Sequence, residues 1–144
     1  MSNLIKLLHD TAALRAEYQR LHQDLLGLSM RRLLFLVRPG ARQQVEARFQ
    51  YLFQRLGELR EEMGRLTPDD LAIRRGEELH QALQDFHQAF GETLGQLERL
   101  RQAQAGQATS TPGKDRQSLL APYDDALQHQ RRMGARINDL LADL

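Results

Sequence analysis

Two consecutive heptads, Leu79-His80-Gln81-Ala82-Leu83-Gln84-Asp85 and Phe86-His87-Gln88-Ala89-Phe90-Gly91-Glu92, repeat one another position by position. On a helix this stacks His80 and His87 one heptad apart on a flank, beside a seam of Leu79, Leu83, Phe86 and Phe90. The small Ala82 and Ala89 let a neighbouring helix come close, and the histidines are expected to rim the core. An imidazole can ligate a metal, carry a phosphoryl group or move a proton near neutral pH. Each use demands partners at defined spacing.

For a metal, Glu77 and His80 supply one Glu-x-x-His pair, the spacing by which helical bundles hold a di-iron centre. A second pair is needed, but Gln19 and Gln84 stand ahead of His22 and His87 where its glutamate belongs. No metal and no cofactor is expected. For phosphotransfer, His87 and Gly91 resemble the histidine and glycine of phosphotransfer bundles, whose glycine lets a response regulator reach the ring. Phe90 replaces the basic residue that would steady the phosphoryl group there. A phosphotransfer-type regulatory protein using His87 is an alternative reading. His9, His22 and His129 have no serine, threonine or acid spaced to orient them as a base.

Other constellations are accounted for without chemistry. Asp124-Asp125 follow Pro122 where the first turn of a last helix is expected, and there they offset its dipole. Glu61-Glu62 fall on an outer face. Pro112-Gly113-Lys114 lacks the strand and spacing of a phosphate loop. With 0 cysteines, disulfides and thiol catalysis are excluded. No catalytic residues are assigned, and the chain is read as a non-enzyme.

The elements that position these residues follow from punctuation and period. Prolines at 39, 68, 112 and 122 cut the 144-residue chain where the apolar pattern changes phase. Leu4, Leu7, Thr11, Leu14, Tyr18, Leu21, Leu25 and Leu28 alternate steps of three and four, as do Val45, Phe49, Leu52, Leu56, Leu59, Met63 and Leu66. Thr67-Pro68-Asp69-Asp70 reads as a cap, a first-turn proline and two dipole-facing carboxylates. Gly76, Leu79, Leu83, Phe86, Phe90, Thr93, Leu97 and Leu100 carry the third seam. Tyr123, Leu127, Met133, Ile137, Leu140, Leu141 and Leu144 carry a fourth, interrupted at Gln130 and Gly134.

The expectation is all-α: an elongated antiparallel bundle in one domain, with helices over about 3–37, 41–66, 68–102 and 118–143. A flexible Ala/Gln/Gly/Ser/Thr linker over 103–117 would let the last helix act as a removable cover on the other three. The core must be mainly leucine, because aromatics make up 6% and tryptophan is absent. Net charge is +1, split as +4 over residues 1–66 and −3 over 67–144, which favours the halves meeting each other or a second copy rather than nucleic acid. No leader pattern is visible, and no apolar run approaches the ~20 residues of a membrane span, so the cytoplasm is expected.

One stretch departs from its surroundings. Within Ser29–Gln44, the run Leu33 to Val37 is wholly apolar and walled by Arg31, Arg32, Arg38 and Arg42. The first seam fails there and a shifted stripe of Leu26, Met30, Leu33 and Val37 takes over, so a helix through it is apolar around most of its circumference. Leu26, Met30, Leu33, Leu34, Phe35 and Val37, with Arg31, Arg32 and Arg38 setting orientation, are the expected partner-binding residues. The function expected is a non-enzymatic interaction module (adaptor, small chaperone or assembly factor) binding a partner helix or its own copy, as in a homodimer. Peripheral binding to a membrane surface through 29–42 is a further alternative.

Overall fold

The computed structural model describes residues 3–26, 39–106 and 114–143, with side chains at 3–25, 43–102 and 120–143. Among the described residues there are four helices and no strand: α1 (Asn3–Leu26), α2 (Pro39–Gly64), α3 (Gly76–Gly106) and α4 (Lys114–Ala142). The fold is all-α, as the seams require.

The seams are the buried faces. Leu4, Leu7, Thr11, Leu14, Tyr18, Leu21 and Leu25 on α1 point inward, as do Val45, Phe49, Leu52, Leu56, Leu59 and Met63 on α2. Fully burying a leucine is worth about 1.5–3 kcal/mol, and these stacked rows, rather than helix propensity, hold rods of this length in place. Direction follows from cross-helix pairs. Arg55 of α2 meets Asp10 and Arg48 meets Asp24 of α1, Arg101 of α3 meets Glu46 of α2, and Arg136 of α4 meets Asp85 of α3, so consecutive helices are antiparallel.

Helix α3 is the spine. It packs against α1 and α2, and most closely against α4. Ala82, Ala89 and Thr93 on α3 and Gly134 on α4 are buried where large side chains would hold the axes apart. The Thr93 hydroxyl lies 2.8 Å from Ala89 O in its own helix and 3.2 Å from Ala126 O in α4. A last helix that lifts off as a cover would have to break the tightest helix pair in the bundle. Gln130 and Gly134 do not interrupt the α4 seam either: both are buried, continuing the steps from Leu127 to Ile137. Leu141, placed in the seam from sequence, is 37% exposed.

Several boundaries differ from expectation. Thr67-Pro68-Asp69-Asp70 does not open α3. The Asp70 and Leu71 amides donate to the carbonyls of Thr67 and Pro68 in a single tight turn, and the Thr67 amide and hydroxyl both donate to Asp70 Oδ2. The capping chemistry is real but closes one turn only. Leu71 and Ile73 then pack on the core, Arg75 takes a left-handed φ of 57°, and the helix starts afresh at Gly76. Gly76 is required there, since a Cβ would lie 2.0 Å from Leu71 O. Asp70 instead serves α1, accepting the Asn3 amide at 3.3 Å.

Helix α4 begins at Lys114 and carries Pro122 inside it, so Asp124 and Asp125 are not first-turn residues and dipole compensation does not explain them. Helix α3 extends to Gly106, past the expected end at 102, and α2 begins at Pro39. The described part of α1 ends at Leu26; its expected continuation to residue 37 lies outside the described residues, as does the centre of the linker, 107–113.

Candidate functional site

The two histidines of the heptad repeat have different fates. His80 is half-buried, whereas His87 is 1% exposed and sits inside the bundle, not on its rim. Because α3 is flanked on several sides, a flank position beside its seam is also enclosed. His87 Nε2 shares a hydrogen bond of 2.9 Å with the Thr11 hydroxyl of α1, and Nδ1 is buried with no partner among the described residues. Burial, helped by the positive charge of Arg60, pushes its pKa down to about 4. The ring is therefore neutral at physiological pH. Gly91, the glycine that would admit a phosphotransfer partner, faces α2 instead: a Cβ there would meet Leu56 Cδ2 at 3.5 Å.

Glu77 is exposed while its i+3 partner His80 is half-buried, and among the described residues no group of three or more His, Asp or Glu side chains is placed to hold a metal ion. A shallow polar groove of about 370 Å³ runs beside His87, lined by Arg60, Gln81, Gln84, Asp85 and Gln88 among others.

A second polar cluster had no signature in the sequence. The Tyr123 hydroxyl of α4 hydrogen-bonds both the Tyr18 hydroxyl and His22 Nδ1 of α1. Both tyrosines are buried, the His22 and Tyr123 rings stack at 5.6 Å, and Phe90 of α3 packs edge-on against Tyr18 at 5.3 Å. Burial raises the Tyr18 pKa to about 12 and raises that of Tyr123 as well, so both hydroxyls keep their protons. Burial also lowers the pKa of His22, Arg131 adds to the effect and Asp124 opposes it. Tyr18 and Tyr123 were legible as seam residues; their pairing across 105 positions was not.

The expected partner-binding residues Leu26, Met30, Arg31, Arg32, Leu33, Leu34, Phe35, Val37 and Arg38 lie outside the residues whose side chains are described. What is described is the helix that follows them. On α2, Tyr51 is 53% and Phe53 39% exposed, large aromatic side chains held out to solvent. Tyr51 borders a groove of about 210 Å³ between α1 and α2, with Glu17, Ala47, Arg48 and Leu52. Phe53 stacks on buried Phe49, whose ring also lies 5.4 Å from the Arg101 guanidinium. Among the described residues no helix is long and apolar enough to cross a membrane. The chain matches no protein-family model, no curated protein and no solved structure.

Proposed function

We propose that the chain is a non-enzymatic protein-interaction module, an adaptor, small chaperone or assembly factor, which grips a partner helix or a second copy of itself. The contact is the apolar, arginine-rimmed run at 26–38 continued along α2. The observation that supports it is the outward placement of Tyr51 and Phe53 on that helix, since aromatics and arginine are enriched where proteins meet. The buried His87 imidazole is engaged by Thr11, and the half-buried His22 imidazole by the buried phenol of Tyr123, inside the bundle. Histidine phosphotransfer finds no support in an imidazole 1% exposed.

The test is light scattering for mass across a concentration series, followed by affinity capture from the native host, on the parent chain and on Leu33→Ser/Phe35→Ser and Tyr51→Ser/Phe53→Ser. Self-association or a saturable partner lost in both variants, at unchanged helix content, supports the reading. A monomer that captures nothing specific contradicts it. Sedimentation with anionic vesicles, lost in Leu33→Ser/Phe35→Ser, would assign the run to membrane surfaces instead.

A further inference from the structure

Tyr18, Tyr123 and His22 are three groups joined by two hydrogen bonds, with no other partner for the three among the described residues. Each bond uses one proton. With His22 neutral and its proton on Nε2, Tyr18 donates to Tyr123, Tyr123 donates to His22 Nδ1, and every group is satisfied. A proton added at Nδ1 leaves three protons for two bonds. The imidazolium must then donate to Tyr123, and one phenol proton is stranded: that of Tyr18 where Tyr123 turns to donate to it, or that of Tyr123 where its oxygen accepts from both neighbours. Both hydroxyls belong to buried side chains, Tyr18 1% and Tyr123 0% exposed, and neither has a further acceptor among the described residues.

The surroundings push the same way. On α4, Arg131 opposes an imidazolium and Asp124 favours it, and with burial the opposing effects win. On α1, Asp24 is engaged by Arg48 of α2 at 2.8 Å. Helix α3 presents Phe90. The place where this strain acts is also the place least able to absorb it. Helices α1 and α4 meet through long side chains, the tyrosine–histidine chain and Arg15 lying beside Gly134 and over Phe86, whereas α3 and α4 are knit by small residues at close range.

We propose that protonation of His22 unlatches α1 from α4, opening the seam between them while α4 stays docked on α3. The bundle thus carries an acid-operated latch at the Tyr18–Tyr123–His22 chain.

The test is an NMR pH titration of the His22 ring in the parent, Tyr123→Phe and Tyr18→Phe. Tyr123→Phe removes both bonds and with them the stranded proton, so the His22 pKa should rise above its value in the parent, while burial and Arg131, which the substitution leaves in place, keep it below the ordinary value. Tyr18→Phe leaves Tyr123 donating to His22 and should keep the pKa low. A His22 pKa unmoved by Tyr123→Phe overturns the proton count. In a cysteine-free chain, spin labels at Gln19→Cys and Gln128→Cys then report the α1–α4 distance, and labels at Gln88→Cys and Gln128→Cys the α3–α4 distance. As the pH is lowered from neutral through the His22 pKa that the NMR titration gives, the first should lengthen and the second hold. Both constant, or both lengthening together, refutes the latch.

Discussion

Thr11 on α1 and His87 on α3 share a hydrogen bond of 2.9 Å closed off from water, and it ties the folded state to a neutral imidazole. In the unfolded chain the same ring titrates near its ordinary 6.5, and in the fold near 4. A depressed folded pKa contributes stability that is whole above about pH 6.5 and is lost as pH falls through the folded value. One proton over that window amounts to about 3 kcal/mol. Denaturant unfolding from pH 7 to pH 4 should show that loss, increased by His22, whose pKa is lowered in the same direction. Thr11→Val/His87→Leu replaces both partners by apolar groups and should flatten most of the acid limb.

Two glycines separate steric need from flexibility. Gly76 has no room for a Cβ beside the backbone of Leu71, while Gly57 has nothing within 4 Å of where one would sit. Gly76→Ala should therefore cost on the order of 2 kcal/mol or more, because backbone must move. Gly57→Ala, inside α2 at an exposed position, should stabilise by about 0.5–1 kcal/mol. Thermal unfolding of the two variants checks the pair, and the opposite order would place the break before α3 wrongly.

Within the tyrosine chain the hub should matter more than the end. Tyr123→Phe leaves the Tyr18 hydroxyl and His22 Nδ1 both unpaired, at about 2–3 kcal/mol. Tyr18→Phe keeps Tyr123 donating to His22 and should cost about 1 kcal/mol. Chemical denaturation at neutral pH measures both, and equal losses would mean that the two bonds are not a chain.

The rods were readable because each seam records which side of its own helix is buried. Steps of three and four from Leu4 to Leu25 and from Leu79 to Leu100 need no knowledge of neighbours. How many neighbours a helix has is not written in its period. His87 sits one place off the seam, which reads as a rim on a two-sided helix but is interior on α3, flanked on several sides. The same ambiguity hid the Tyr18–Tyr123 bond, since a seam does not name its partner. The Thr67–Asp70 signature misled for another reason: capping groups satisfy one turn whether or not a helix follows, and here Leu71, Ile73 and the left-handed Arg75 redirect the chain. The apolar run that carries the partner-binding expectation lies outside the described residues, so only its neighbour α2 bears on it.

The contact face itself is open to a direct measurement: a photoreactive phenylalanine analogue placed at Phe35, at Tyr51 and, as a control on α3, at Gln81, irradiated in the native host. The interaction reading predicts adducts of one discrete mass, a second copy of the chain or a single partner, from Phe35 and Tyr51 and none from Gln81. Absence of a discrete adduct at both aromatic positions, or the same adduct from the control, would contradict it.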